Sequence, residues 1–468
     1  MLAFVKKWSR RSLMALGVLF LLVLGWRTFD AIRSPALPIW LTHVPPEADA
    51  QKIDGFDWNA WIAAETATFQ DVQEQVASQL TAEQIEFSGR FRSHPRHLAC
   101  DVLGGNYSCV RLPEGTPRGT AVMLHGLTDS PYSLHHVANH YVEQGFAVVI
   151  IRLPGHGTVP AGLTKVRWED WMAATRLAVR HARSLADEHT PLHLVGYSNG
   201  AALAMKYTLD ALEDENLPRP RQLVLFSPMI GITSMARFAG VLGWPAAFPP
   251  FAKAAWLDIE PEYNPFKYNS FAVNAARQSS QLTRAVQKQL DSLQASGRLQ
   301  QLPPILTFQS RLDYTVDVRA LITKLYARLP ANGSELVIFG CSAEWLLKPG
   351  ICDMPADLLP DSGRNYRYSI VHGGYEERAS VGGLRERNDI AQTFPDDVYS
   401  LSHVALPFPE DDALYGKTYG LGRFAPHGER GALLVSLDSL MRMTWNPFFP
   451  LMLERIDATL GLTTSSPP

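Results

Sequence analysis

The stretch Leu192-His193-Leu194-Val195-Gly196-Tyr197-Ser198-Asn199-Gly200 holds the residues best placed to do chemistry. An apolar run ends in Gly-x-Ser-x-Gly and passes straight into a helix-like pattern from Ala201 to Leu209. A strand that turns sharply into a helix leaves the serine oxygen exposed above the sheet, with the positive end of the helix beneath it. Gly196 and Gly200 flank Ser198 where a side chain would collide with the close backbone approach of such a turn. One geometry thus accounts for the serine and both glycines, and the chemistry it serves is attack by an activated hydroxyl on an electrophilic carbon. A tight turn with an inert serine is the plainer alternative, because this short pattern also arises by chance.

A serine presented in this way needs a sheet and covering helices, and the surrounding sequence supplies the pattern. Gly119 to Leu124 reads as an apolar strand followed by His125-Gly126-Leu127-Thr128-Asp129-Ser130. Ser133 to Gln144 reads as a helix, Phe146 to Ile151 as a strand, and Leu153-Pro154-Gly155-His156-Gly157 as a tight loop. A helix over 168–187 has Trp168, Trp171 and Leu177 available for packing, and Gln222 to Phe226 gives the strand after the Ser198 helix. This alternation is the period of a parallel sheet covered on both faces. It breaks between Pro228 and Pro304, where aromatic and proline residues cluster before a helix over Gln278 to Leu293. Strands return at Ile305 to Gln309 and Glu335 to Phe339, with a helix from Leu321 to Leu329 between them.

With these stretches in order, the chain resembles the α/β-hydrolase superfamily, and its Pro-Gly-His-Gly loop is similar to that of monoacylglycerol lipases, lysophospholipases and serine-aminopeptidase-like members. The resemblance implies an α/β-hydrolase fold: a mostly parallel central sheet covered by helices, with a lid insertion and large extra segments. It implies Ser198 as nucleophile on an elbow made by Gly196 and Gly200. It also implies an oxyanion loop at His125-Gly126-Leu127, with backbone N–H donors from Leu127 and Asn199. In resembling hydrolases the acid lies just beyond the strand at 305–309, which points to Asp313, with Asp317 in reserve. His403, in Ser402-His403-Val404-Ala405-Leu406-Pro407, completes the order Ser, Asp, His and is preferred as base over His372 and His427. His125 and His156 are expected to shape loops. The same resemblance implies acyl transfer through a covalent intermediate without a cofactor. Dehalogenases and epoxide hydrolases fit less well, since their familiar nucleophile is aspartate where this chain has Ser198.

The rest of the chain bears on compartment and partners. At 468 residues with 46% apolar content it can bury a large core, and a formal charge of -3 gives no whole-chain case for nucleic-acid binding. Lys6, Lys7, Arg10 and Arg11 precede an uncharged run from Leu13 to Trp26, which reads as an uncleaved amino-terminal anchor in the inner membrane with the catalytic domain in the periplasm, or else as a cleaved export signal. Cys100 with Cys109 and Cys341 with Cys352 are the simplest disulfides for an oxidising compartment. The acids after Pro409 fit a turn-rich surface segment, and neither a calcium-loop pattern nor a zinc spacing stands out, so no metal is expected. The expected organisation is anchor or signal 1–28, amino-terminal extension 29–118, core 119–228, lid or cap 229–303, core 304–339, disulfide-containing insertion 340–398, and core completion 399–468. A carboxylic-ester hydrolase acting on a lipid-like acyl ester is the leading expectation. An amidase, peptidase or thioesterase shares the same chemistry, and a non-catalytic envelope scaffold on a hydrolase core is the alternative from another class.

Overall fold

The computed structural model describes residues 36–92, 105–231, 249–311, 313, 316, 318–340, 359, 363–395, 400–401, 407–416, 442–443 and 445–461, with six positions between 14 and 25. Five strands form its centre: β2 (Gly119–Leu124), β3 (Phe146–Ile151), β4 (Leu192–Tyr197), β5 (Gln222–Phe226) and β8 (Ile305–Ser310). Every residue in them is buried, as strands covered on both faces require. They pair in parallel in the order β3-β2-β4-β5-β8, and β9 (Glu335–Phe339) continues the parallel set. β1 (Cys109–Arg111) closes one edge antiparallel to β3.

The alternation of strand side chains divides the interior into two layers. Val122, Leu124, Val149 and Ile151 face a core shared with the helices Trp168–Ser184 and Asn199–Glu213. Ala121, Met123, Val148 and Ile150 face the opposite core with the helices His135–Glu143 and Phe449–Thr459. The helix Val273–Ala295, within the expected lid region, belongs to the first core: Leu282, Val286 and Leu290 are fully buried in it. Before that helix, β6 (Trp256–Asp258) and β7 (Phe271–Ala272) form a short antiparallel ribbon.

The sheet extends further than the sequence pattern suggests. β10 (Arg367–His372) pairs parallel to β9, and β11 (Tyr375–Ala379) and β12 (Arg385–Asp389) follow antiparallel, giving ten strands. These three come from the region read as a Cys-, Pro- and Gly-rich insertion. Their polar composition hid them, since β12 at the edge is largely exposed and carries charge, a common means of blunting an unpaired edge. A separate pair, β13 (Ser400–Leu401) and β14 (Arg442–Met443), lies outside this sheet.

The amino-terminal segment docks on the β3 end of the sheet through buried polar contacts. Arg152, at the end of β3, donates from both terminal nitrogens to Glu47 at 2.7 and 3.0 Å, and Glu65 lies 3.6 Å from its Nε. Burial opposes the guanidinium charge, but these two carboxylates outweigh it and hold the arginine protonated. Trp61, on the helix Trp58–Gln75, is buried and donates from its indole N–H to Ser108 Oγ at 2.9 Å.

Several expectations need correction. No helix among the described residues is long and apolar enough to cross a membrane, and most of the segment 1–35 lies outside them. The physical reason is length: the uncharged run of 14 residues from Leu13 to Trp26 would span about 21 Å as a helix, short of a hydrocarbon core of about 30 Å. The membrane anchor, the membrane as a partner and the inner-membrane and periplasmic placement are therefore withdrawn. No disulfide joins two described residues. Cys100, Cys341 and Cys352 lie outside them, and Cys109 is not a free thiol; neither expected pairing is retained. The segment after Pro409 is turn-rich as expected, with Glu410, Asp411 and Ala413 exposed, but it is not wholly superficial: Phe408, Asp412, Leu414 and Tyr415 are buried.

Glu47→Ala leaves the buried Arg152 guanidinium without its bidentate partner and is expected to cost about 3–5 kcal/mol of stability. Urea unfolding measures it; a loss below about 1 kcal/mol, the range of exposed pairs, would show that the contact does not hold the extension.

Candidate active site

Ser198 sits between the end of β4 and the start of the helix Asn199–Glu213, with φ 53° and ψ −109°. L-residues rarely adopt this conformation, and strain of this kind clusters at functional turns. The turn is pinned by its own backbone: the Ser198 N–H donates to Phe226 O at 2.8 Å, and its carbonyl accepts from Met229 N at 3.2 Å and Ala202 N at 3.3 Å. Gly200 is required by contact, because a Cβ there would lie 1.9 Å from Leu124 O. At Gly196 a Cβ would lie 2.5 Å from the Ala201 Cα. The two glycines let the helix lie flat against β4 and β2, which is what lifts the serine.

The loop after β2 lies against this turn. A Cβ on Gly126 would lie 3.4 Å from Ser198 Cβ, so the His125-Gly126-Leu127 backbone borders Ser198. Thr128 also has a positive φ, 67°, which reverses the loop. Among the described residues neither Leu127 N–H nor Asn199 N–H has a backbone hydrogen-bond partner. Asn199 begins its helix, where the first N–H groups are free and the dipole is positive. Its side-chain oxygen accepts from Ser279 Oγ at 2.7 Å, which fixes the start of that helix to the Val273–Ala295 helix.

Asp313 follows β8, two strands from β4 in the sheet. Gln309 Nε2 donates to Asp313 Oδ2 at 2.8 Å and Val316 N–H donates to Oδ1 at 2.8 Å, so the carboxylate is held in one orientation. Tyr197, beside Ser198, is pushed well above its ordinary pKa by burial and then by the negative charges of Asp129 and Asp313. Both carboxylates therefore border the end of the sheet from which Ser198 projects. Nothing in the local sequence pattern marks Asp129, yet its Oδ2 lies 2.6 Å from where a Gly126 Cβ would sit, so its side chain turns in toward the elbow.

The histidines separate on geometry. His125 is buried; its Nε2 accepts from Leu153 N–H at 3.0 Å, so its Nδ1 carries the proton and donates to Gly126 O at 2.9 Å. Burial and the neighbouring His156 hold its pKa well below 6.5, so it is a neutral brace for the loop after β2. His156 is lowered to about 3 by burial, and packs against Trp171 and Tyr268. His372 closes β10, four strand spacings from β4, or about 19 Å. His403, His427 and the reserve acid Asp317 lie outside the described residues.

Against this geometry, residues 115–341 match the family described as serine aminopeptidase, S33. A thermostable monoacylglycerol lipase from Bacillus sp. (strain H-257) is 34% identical over 61 residues, 13% of this chain and 24% of that protein. The matched stretch thus spans about a quarter of that relative's length. Among solved structures, a monoacylglycerol lipase from Paleococcus ferrophilus is 17% identical, with 50% of this chain and 86% of that chain covered at a TM-score of 0.36. Est1E from Butyrivibrio proteoclasticus with bound ferulic acid is 21% identical, with coverages of 49% and 84% and a TM-score of 0.35. The elbow, the sheet order and the family match, rather than these structural likenesses, carry the assignment. The parallel sheet with its serine turn defines an α/β-hydrolase fold. Residues 115–341, just under half of the chain, thus match a serine-hydrolase family on an α/β-hydrolase fold.

The buried neutral histidines predict an acid-labile fold. His156 and His193, both lowered to about 3 chiefly by burial, are uncharged when folded but take a proton on unfolding below about pH 6.5. The unfolded chain then binds more protons, so stability falls as pH drops from about 6.5 toward 3 and is fully present above that window. In urea unfolding across pH, His156→Gln is expected to lower the slope by about 1.4 kcal/mol per pH unit between about pH 6 and 4; an unchanged slope would refute the assignment.

Proposed function

We propose that this protein is a serine esterase in which Ser198 is the nucleophile, His403 the base and Asp313 its orienting acid. The observation that carries the reading is the strained Ser198 turn, set between a positive helix end and the Gly126-Leu127 backbone. His403 takes the Ser198 proton as Oγ attacks the acyl carbonyl, and Asp313 steadies the imidazolium that forms. The Leu127 and Asn199 N–H groups stabilise the oxyanion, and collapse expels the alcohol with the proton from His403. Water, deprotonated by the same imidazole, then releases the acid and restores Ser198. The two fixed hydrogen bonds on Asp313 suit an orienting carboxylate. A lipid-like acyl ester is favoured as substrate by the likeness to the Bacillus monoacylglycerol lipase.

The test uses matched ester and amide substrates of one acyl chain. Ester turnover is expected to exceed amide turnover, and Ser198→Ala should lower it by about six orders of magnitude. Loss of fluorophosphonate labelling in that variant identifies the nucleophile. Because the matched family is described as serine aminopeptidase, turnover of the amide with negligible ester turnover would replace this reading by a peptidase one. Asp313→Asn is expected to lower kcat by about ten thousandfold with labelling slowed in parallel; near-normal kcat would move the acid elsewhere.

A further inference from the structure

We infer that His135, His136 and Asp412 form a zinc site that fastens the 407–416 segment to the helix behind the oxyanion loop. His135 and His136 stand together at the start of the helix His135–Glu143, and Asp412 reaches them from 276 residues further along the chain, with one donor atom from each of the three within 4.8 Å of the others. His136 Nε2 lies 2.8 Å and His135 Nε2 3.9 Å from the same oxygen, Asp412 Oδ2. Ligands around a tetrahedral Zn2+ stand about 3.3 Å apart, so the two separations bracket what the ion needs.

The hydrogen bonds around the cluster decide what it can hold. His135 Nδ1 lies 2.5 Å from Tyr132 O, and only a protonated nitrogen bonds a carbonyl. Its neutral ring then turns the Nε2 lone pair toward a carboxylate oxygen, with no hydrogen bond between them. Asp412 is oriented as firmly: Leu414 N–H at 2.8 Å and Tyr415 N–H at 2.6 Å occupy Oδ1, which leaves Oδ2 for the histidines. Tyr132 OH approaches both oxygens, at 3.3 and 3.2 Å. A backbone carbonyl behind one imidazole and backbone amides behind the carboxylate are the outer contacts that orient metal ligands. Asp412 and His135 are buried, while the His136 side chain is 25% exposed and gives an ion and its remaining water a way in. Two imidazoles and one carboxylate suit Zn2+ better than Ca2+ or Mg2+, which prefer all-oxygen sets.

The site is independent of the esterase reading, and its test reads metal rather than turnover. Tag-free full-length protein, stripped with chelator and exchanged into metal-free buffer, is titrated with Zn2+ in competition with a chromophoric chelator. One Zn2+ per chain is expected, with thermal unfolding shifted upward. His136→Gln and Asp412→Asn should each weaken binding by more than about tenfold. His136→Gln removes a partly exposed ligand, so it keeps the test open if the buried aspartate variant does not fold. His140→Gln is the control, since His140, on the same helix as His135 and His136, pairs instead with Asp457 of the helix Phe449–Thr459 and should leave Zn2+ binding unchanged. Absence of stoichiometric Zn2+, or equal affinity in His136→Gln and the unaltered protein, would overturn the site. Equal loss in His140→Gln would do the same, because binding would then be spread over surface histidines.

Discussion

A serine held at φ 53° carries strain of about 1–3 kcal/mol, and the central sheet is arranged so that this strain is sustained. Relaxing it would rotate the peptide after Tyr197 and break the 2.8 Å bond from Ser198 N–H to Phe226 O, which ties the turn to the neighbouring strand. It would also swing the helix Asn199–Glu213 away from β2, where Gly200 passes so close that no side chain fits. Ser198 is thus held at the junction of three strands and one helix.

The same close packing limits which groups can take the serine proton. His125 and His156 are near in sequence to the oxyanion loop and the tight loop after β3, yet burial holds both neutral. His125 also has both ring nitrogens engaged, one accepting from Leu153 and one donating to Gly126. The base proposed above must instead reach Ser198 from its partly exposed side. The charge of Asp313, the proposed orienting acid, is felt at the neighbouring Tyr197.

Much of this was legible because the central strands are continuous apolar runs. Phe146–Ile151, Gln222–Phe226 and Glu335–Phe339 fall where the pattern places them, and the helix after Ser198 begins at once. β10 to β12 were hidden because Arg367–His372 mixes charge with apolar residues, Arg385–Asp389 has no apolar residue at all, and both sit among turn formers. The amino-terminal anchor was overread: flanking charge gave it the look of a span, but its uncharged run is too short. His135 and His136 gave no metal spacing, since their partner is 276 residues further along the chain. Long-range convergence of this kind leaves no local trace.

The ten-stranded sheet also decides where segments distant in sequence meet. Phe394 packs beside Gly373 at the end of β10, and Asp412 and Tyr415 pack beside Tyr132 and Asn264. β10 and β2 are five strand spacings apart, about 24 Å. The buried turn at 412–416, with Asp412 bonded to His136 and Tyr415 to Asn264, therefore ties a late part of the chain to the β2 side of the sheet rather than to the strands added beyond β9.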